Sequence, residues 1–285
     1  MKLLVTGASG FFGRRAADYF RALGYTVLAP SHAELDITDA DCVQNWMQQN
    51  KPEAVLHCAA VSDTGACQRE PERTEKINVV GCVNLASACA KHDAKFIFCS
   101  SDQVYSGSTL SGPHAENEPL TPNNVYAVQK LRAEQLAAEV CPNTVSLRLS
   151  WMYSTDRFKN EHGHFLVALS AAFADESKPI SWPCFDKRGI TDAAEVIRNL
   201  PAAIHLPAGV YNFGSENTYD THTTLQNVLI RLNRADLLER LSPNTEAFAT
   251  SPRDIRMHTA KINAQGIRFE STEDALYRAL WQLGI

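Results

Sequence analysis

The 285-residue sequence lacks any apolar run approaching the roughly 18 residues that a membrane-spanning helix requires. It also lacks a basic excess, because 27 lysines and arginines stand against 32 aspartates and glutamates. Binding to nucleic acid normally requires a basic face, so we expect neither a membrane nor a nucleic acid as partner. The apolar start, Met1-Lys2-Leu3-Leu4-Val5, is shorter than a signal peptide and predicts a cytoplasmic protein.

Closely spaced cysteine pairs are also absent. The eight cysteines include no Cys-x-x-Cys pair and no compact ligand cluster. Such spacing is typical of reduced, mostly buried cysteines, so we expect neither a disulfide framework nor structural zinc. Glu161, His162 and His164 fall in a polar stretch that we interpret as a loop, and we predict no metal site.

Short apolar runs alternate with amphipathic stretches in the N-terminal half. Strands are predicted at residues 2–5, 25–29, 54–58, 95–99 and 144–149, and helices at 11–23, 39–50, 72–92 and 123–140. This alternation predicts an α/β fold with a doubly wound parallel (Rossmann) sheet, forming an NAD(P)-binding domain over residues 1–150. After Trp151 the pattern is less regular, with helices predicted at 191–200, 220–232 and 272–283 and a strand at 210–213. It predicts a smaller α/β substrate-binding domain over residues 151–285, with some segments returning to the Rossmann sheet.

A glycine motif joins the first predicted strand to the first predicted helix. It reads Thr6-Gly7-Ala8-Ser9-Gly10-Phe11-Phe12-Gly13-Arg14, with Gly-x-x-Gly-x-x-Gly spacing. Backbone N–H groups at a helix N-terminus bind the pyrophosphate of a dinucleotide, and glycines permit its close approach. The motif therefore predicts an NAD(P) site.

The end of the second predicted strand normally carries the residue that contacts the adenosine ribose, acidic for NAD and basic for NADP. Here it reads Ala29-Pro30-Ser31-His32 without an acid, and Asp36 follows a little later. The missing acid and the nearby Arg14 favour NADP over NAD.

Tyr126 and Lys130 lie four residues apart in a predicted helix, so their side chains share one face. A lysine cation stabilises a tyrosinate and is expected to lower the pKa of Tyr126, which makes the phenol a general acid for carbonyl reduction. Ser100 and Ser101 follow the fourth predicted strand, at the sheet edge where α/β folds bind ligands. A serine hydroxyl there would hold the reacting oxygen against the phenol.

These residues together resemble the extended short-chain dehydrogenase/reductase superfamily, and within it the dTDP-4-dehydrorhamnose reductase family. The other motifs that carry the resemblance are Leu35-Asp36-Ile-Thr-Asp39, His57-Cys-Ala-Ala60, Ile77-Asn78-Val-Val-Gly81, Ser101-Asp102-Gln-Val-Tyr105, Arg148-Leu-Ser-Trp-Met-Tyr153, Gly209-Val-Tyr-Asn-Phe-Gly214 and Arg256-Met-His-Thr-Ala-Lys261. The resemblance implies a reductase that uses NAD(P)H to convert a 4-keto sugar nucleotide into an alcohol.

The resemblance also implies roles for single residues. It makes Ser101, Tyr126 and Lys130 the catalytic trio. The cofactor site would comprise Gly7, Ser9, Gly10, Phe11, Phe12, Gly13, Arg14, His32, Asp36, Ile37, Cys58, Ala59, Ala60, Asn78, Tyr126 and Lys130. Substrate contacts would come from Ser62, Asp102, Trp151 and Arg256. The chain departs from the family at His32, where arginine is frequent, and at Arg253-Asp254-Ile255, so the reaction class is better determined than the sugar.

Three alternatives stand beside the reductase. A dehydratase is disfavoured, because Gln103 stands where the resembled dehydratases carry the glutamate of an Asp-Glu pair, and an amide is no base. An epimerase needs only the trio and a substrate able to rotate. A non-catalytic NADP-binding regulatory subunit could keep the fold without the chemistry. The apolar faces of helices 72–92 and 123–140 fit either the core or a homodimer, in which these helices often pair in the superfamily.

Overall fold

The computed structural model describes residues 1–156 and 165–285, and the chain divides into two compact units. The first unit contains Met1–Val104, Thr121–Arg148 and Ile197–Tyr211. The second contains Tyr105–Leu120, Leu149–Val196 and Asn212–Ile285. A stretch of the second unit begins at Leu149, beside the predicted boundary at residue 150. The sequence did not predict that residues 105–120 would belong to the second unit.

The described chain contains strands and α-helices in both halves, and they alternate through the first half. The strands are β1 (Lys2–Thr6), β2 (Thr26–Leu28), β3 (Ala54–His57), β4 (Lys95–Ser101), β5 (Thr144–Leu149), β6 (Trp151–Tyr153), β7 (Ile180–Pro183), β8 (Asp186–Lys187), β9 (Ile190–Asp192), β10 (Gly209–Phe213), β11 (Leu241–Asn244) and β12 (Arg253–Asp254). The α-helices are α1 (Phe11–Ala22), α2 (Ala40–Asn50), α3 (Thr64–Arg69), α4 (Pro71–Glu75), α5 (Gly81–Lys91), α6 (Val125–Val140), α7 (Phe165–Ala174), α8 (Ala193–Ile204), α9 (Thr221–Arg231), α10 (Ala235–Arg240), α11 (Ala260–Asn263) and α12 (Thr272–Gln282).

The central sheet has six strands in the order β10-β5-β4-β3-β1-β2. β1 pairs in parallel with both β2 and β3, and β3 pairs in parallel with β4. The chain therefore moves outward from β1 to β2 and then crosses to β3 on the other side. This arrangement confirms the predicted doubly wound parallel sheet. It places a topological switch point between β1 and β3, where α/β folds bind ligands at the carboxyl ends of the strands.

Each unit has its own hydrophobic core. In the first unit, every residue of β3 is buried, as expected for a parallel strand covered by helices on both faces. Its core joins β-strand residues such as Leu4, Val55 and Phe96 to α5 residues such as Leu85. In the second unit the core is built from residues of β6, β7, β9, α7, α9, α10 and α12.

Two predicted helices differ in detail from the structure. The predicted helix at 191–200 begins only at Ala193, because residues 190–192 pair with β6 as strand β9. The predicted helix at 72–92 is broken into α4, a π-helical turn at Lys76–Val80 and α5. Within the described residues, no helix is long and apolar enough to span a membrane.

Candidate functional site

The glycine motif forms the turn between β1 and α1 at the switch point of the sheet. Gly7 has a φ of +66°, and a Cβ added to it would lie 2.7 Å from the backbone nitrogen of Ala59. A Cβ on Gly13 would lie 2.3 Å from the Gly7 carbonyl oxygen. Glycine is therefore required at both positions, by backbone conformation at Gly7 and by close packing at each.

Gly10 plays a different part, because it is the N-cap residue of α1. A Cβ on Gly10 would approach only the Gly7 carbonyl oxygen, at 3.3 Å, so the space beside it is otherwise open. The N-terminal N–H groups of a helix favour an anion at this position. The turn thus forms a cradle suited to the pyrophosphate of a dinucleotide.

A cleft of about 840 Å³ runs along this turn and the loops that follow β2 and β3. Of the residues predicted to bind a cofactor, those that line it are Gly7, Ser9, Gly10, Arg14, His32, Ile37, Cys58, Ala59 and Ala60. Those outside its lining are Phe11, Phe12, Gly13, Asp36, Asn78, Tyr126 and Lys130. The cleft has the volume of a small-molecule site, and the first unit provides all of its lining.

Charged side chains of both signs line the cleft. Arg14 and Arg21 of α1 do so, together with His32 and Glu34 of the loop after β2. The Glu34 carboxylate accepts hydrogen bonds from the Ser31 backbone N–H at 2.8 Å and from the Ser31 hydroxyl at 2.7 Å. Sequence reasoning missed this acid, although Glu34 lies 21 residues beyond Gly13, close to the spacing typical of a ribose-binding acid.

Asp36, which the resemblance places in the cofactor site, is directed into its own turn. Its Oδ1 accepts hydrogen bonds from the backbone N–H and the hydroxyl of Thr38, at 2.9 and 2.7 Å. These two hydrogen bonds lower the pKa of Asp36. The carboxylate therefore stabilises the loop that leads into α2, and its contact with a cofactor stays a prediction.

A buried histidine joins the two strands at the switch point. His57 Nδ1 and Thr6 Oγ1 are 2.7 Å apart, at the paired carboxyl ends of β3 and β1. Burial, and secondarily the charge of Lys130, lower the pKa of His57 to about 3. The imidazole is therefore neutral at neutral pH. The hydrogen bond between the strand ends should not change with pH in that range, because His57 does not titrate there.

Asn78 contacts the cleft through another residue. Its Oδ1 accepts a hydrogen bond from the Val61 backbone N–H at 2.8 Å, and its Nδ2 donates to the Val61 carbonyl at 3.1 Å. Val61 lines the cleft, whereas Asn78 is buried in the π-helical turn. The structure thus assigns Asn78 the support of the β3 loop, and its predicted direct contact with cofactor stays a prediction.

The predicted catalytic trio lies together in the first unit. Ser101 is the last residue of β4, and α6 presents Tyr126 and Lys130 one turn apart. Asn124 begins α6, because its side chain accepts a hydrogen bond from the Ala127 N–H at 2.9 Å. Tyr126 is hydrogen-bonded to Ser101, and Lys130 Nζ lies 5.7 Å from the centre of the Tyr126 ring.

The protonation of Tyr126 differs from the prediction. Burial raises the pKa of Tyr126 far above its usual value, more than the hydrogen bond with Ser101 lowers it. The expected lowering by Lys130 is therefore wrong for this structure. Lys130 Nζ donates to the Cys99 carbonyl at 2.8 Å, and burial lowers the pKa of Lys130 itself. Tyr126 consequently holds its proton throughout the neutral range, as a proton donor must.

A buried ion pair supports the helix that carries Tyr126 and Lys130. Glu134, one turn beyond Lys130, accepts hydrogen bonds from Arg148 Nη2 at 2.8 Å and Nε at 3.1 Å. Glu134 also accepts a hydrogen bond from the Ser100 hydroxyl. Both charged side chains are only 3% exposed. These contacts tie α6 to β4 and β5 beside the catalytic trio.

The residues predicted to bind substrate are divided between the two units. Ser62 is exposed and Asp102 is buried in the first unit, where Ser101 Oγ donates to Asp102 Oδ1 at 3.3 Å. In the second unit, the Arg188 guanidinium lies 5.2 Å from the centre of the Trp151 ring. Arg256 in that unit donates to Asp254 and to two backbone carbonyls. Substrate contact stays a prediction for all four.

Metal binding finds no support in the parts of the chain that the structure describes. Residues 1–156 and 165–285 contain no group of three His, Cys, Asp or Glu side chains that could hold a metal ion. Glu161, His162 and His164 lie outside the described residues.

Comparisons with known proteins find relatives of this chain. A family model described as "RmlD substrate binding domain" matches residues 1–285. The chain is 36% identical over 152 residues to a dTDP-4-dehydrorhamnose reductase of Mycolicibacterium smegmatis, covering 53% of this chain and 46% of that one. It is 30% identical over 257 residues to a dTDP-4-dehydrorhamnose reductase of Streptomyces griseus, covering 87% of this chain and 81% of that one.

The chain thus spans about half the length of the first of these relatives and most of the second. Among solved structures, it is similar to a Bacillus anthracis dTDP-4-dehydrorhamnose reductase in complex with NADP. The TM-score is 0.80 at 21% identity, over 99% of this chain and 98% of that one.

Proposed function

The chain belongs to the RmlD substrate-binding domain family, and we propose that it is an NAD(P)H-dependent reductase of a 4-keto sugar nucleotide. One observation carries the proposal. Ser101, Tyr126 and Lys130 lie together in the unit that also contains the glycine cradle and its cleft. The relatives named as dTDP-4-dehydrorhamnose reductases indicate the substrate class.

A bound nicotinamide cofactor would supply the hydride. Tyr126 is protonated at neutral pH, where burial raises its pKa further, and it donates that proton to the keto oxygen as the alcohol forms. Ser101, hydrogen-bonded to Tyr126, orients the phenol and the keto oxygen. In this mechanism the Lys130 ammonium, 5.7 Å from the centre of the ring, would attract the tyrosinate that forms after proton transfer, although burial keeps the resting pKa of Tyr126 raised.

Turnover with defined substrates tests the proposed function. Purified protein with NADPH or NADH should consume the reduced cofactor when a 4-keto nucleotide sugar is added. Release of the C4 epimer from a nucleotide sugar, without net cofactor consumption, would favour the epimerase. Tight cofactor binding with no turnover across the substrate panel would favour the regulatory subunit.

NADP is the proposed cofactor, with NAD as the alternative. The Bacillus anthracis relative was solved with NADP, and Arg14 of α1 and His32 of the β2 loop both line the cleft. Glu34 opposes this preference, because its carboxylate lies among the same lining residues and would repel a 2′-phosphate. The balance between these charges should therefore set the ratio of NADP to NAD affinity.

Glu34→Gln should raise the affinity for NADP relative to NAD by about three- to tenfold, because it removes one like charge and keeps an acceptor oxygen. Dissociation constants for both cofactors, measured by titration of intrinsic fluorescence, check this. Glu139→Gln makes the same charge change at an exposed site on α6 and should leave the ratio unchanged. An unchanged ratio in Glu34→Gln would remove Glu34 from the ribose end of the site.

Gly10→Val should weaken cofactor binding by more than about tenfold while the protein still folds. The side chain would occupy the open space beside the α1 N-terminus, and its Cβ meets only the Gly7 carbonyl oxygen. Cofactor titration gives the affinity, and circular dichroism establishes that the variant is folded. A folded Gly10→Val protein with parental affinity would contradict the assignment of the cradle.

The proposal also includes a cytoplasmic location and a homodimer. Val80 in the π-helical turn and Val128 on α6 are 42% and 47% exposed, and they lie in the helices whose apolar faces predicted such pairing. Their exposure supports an interface between two copies and leaves it a prediction.

A further inference from the structure

A buried side-chain amide on α6 connects the catalytic helix to the cleft. Gln129 stands between Tyr126 and Lys130 in the sequence, and its side chain is buried on the face toward α4 and the π-helical turn. Its Oε1 accepts a hydrogen bond from Asn78 Nδ2 at 2.9 Å. Its Nε2 donates to Thr74 Oγ1 at 3.0 Å and to the Pro71 carbonyl at 3.1 Å.

These contacts fix which way the Asn78 amide faces. Asn78 must present its oxygen to the Val61 N–H and its nitrogen to the Val61 carbonyl, at 2.8 and 3.1 Å. The same Asn78 nitrogen faces Gln129 Oε1, so a flipped amide would bring two oxygens together. Gln129 Oε1 is itself oriented by the two acceptors that hold Gln129 Nε2.

We propose that Gln129 is a positioning residue, which orients Asn78 and thereby holds Val61, in the wall of the cleft, in register with the helix turn that carries Tyr126 and Lys130. The proposal rests on the proposed reductase function, because that chemistry requires the nicotinamide and the phenol to meet at one distance. Gln129 itself does not line the cleft, so it acts through Asn78.

The alternative is a purely structural role, in which Gln129 fills space and satisfies Thr74. Variants that change the Oε1 and Nε2 hydrogen bonds of Gln129 separately distinguish the two roles. Gln129→Met keeps the length and removes every hydrogen bond, whereas Gln129→Glu keeps an oxygen facing Asn78. Thr74→Val is the matched control, because it removes one partner of Gln129 Nε2, leaves the Pro71 carbonyl to orient that nitrogen, and leaves the Asn78–Val61 contacts in place.

The first measurement is amide hydrogen exchange at Val61, which needs folded protein but no cofactor. Gln129→Met should accelerate exchange at Val61 by about tenfold, the effect of losing one oriented hydrogen bond. Gln129→Glu should keep most of the protection from exchange at Val61 that Gln129→Met loses. In Thr74→Val, exchange at Val61 should be as slow as in the parent. The second measurement is cofactor affinity by fluorescence titration, which should weaken by about tenfold in Gln129→Met alone.

The outcomes are distinct. Parental Val61 exchange and parental cofactor affinity in Gln129→Met would overturn the proposal, and so would equal acceleration in Thr74→Val. If Gln129→Met does not fold, Gln129→Ala removes the same side-chain hydrogen bonds, leaves Asn78 unchanged and should show the same acceleration. If the parent binds no nicotinamide cofactor, the proposed function fails, whereas Val61 exchange still decides whether Gln129 holds the loop.

Discussion

Tyr126→Phe should lower reductase turnover by at least about a hundredfold, with cofactor affinity preserved. The substitution removes one oxygen and keeps the ring, so the packing of α6 should survive. The loss follows from the missing O–H group, because phenylalanine has no proton to donate to the keto oxygen. Because burial raises the pKa of Tyr126, the parent should keep its proton donor as the pH rises toward about 10, the ordinary tyrosine pKa.

Tyr211→Phe is the matched control for this prediction. Tyr211 is another buried tyrosine of the first unit, and its hydroxyl donates to the Pro207 carbonyl at 2.9 Å. The Tyr211→Phe variant should reduce the substrate at the parental rate. The assay is consumption of NADPH or NADH with the best 4-keto nucleotide sugar. If Tyr126→Phe proves as fast as the parent, the trio is not the catalytic apparatus.

Glu134→Leu should lower the free energy of unfolding by about 3–5 kcal/mol. The change leaves the Arg148 guanidinium buried without its carboxylate and takes an acceptor from Ser100. The double variant Glu134→Leu/Arg148→Met removes both charges and should recover most of the loss, because desolvation of the pair offsets much of its attraction. Urea unfolding followed by circular dichroism measures these differences.

Arg132 provides the control on the same helix. Its ion pair with Glu75 is at the surface, where the Arg132 side chain is 60% exposed. Arg132→Gln should therefore change stability by no more than about 0.5 kcal/mol. If Glu134→Leu lies within about 1 kcal/mol of the parent, the idea that this pair anchors α6 is wrong.

The sequence predicted those parts of the site that depend on local spacing. Gly7, Gly10 and Gly13 recur at fixed intervals between a strand and a helix, and Tyr126 and Lys130 share a helix face, so both patterns can be read from a few residues. The switch point between β1 and β3 follows from the alternation of strands and helices, because right-handed crossovers leave few strand orders.

The parts that sequence reasoning missed depend on burial and on distant contacts. The pKa of Tyr126 rises because the folded chain removes the phenol from water, which the spacing to Lys130 does not reveal. Asn78 resembles a cofactor ligand in its motif, but its amide is satisfied by Val61 and Gln129, seventeen and fifty-one residues away. Glu34 was missed although it lies between His32 and Asp36, because a spacing of about 20 residues does not distinguish two acids two residues apart.

The order of β10 in the sheet has a consequence for the way the protein is made. β10 pairs at the edge of the six-stranded sheet beside β5, although more than fifty residues separate the two strands in the sequence. A nascent chain emerging from the ribosome therefore displays β5 with an open edge until residues 209–213 have been synthesised. The first unit, although it contains Met1, completes its sheet only after residues 149–196 of the second unit have been synthesised. A proteolytic fragment ending at residue 150 would carry that open edge permanently.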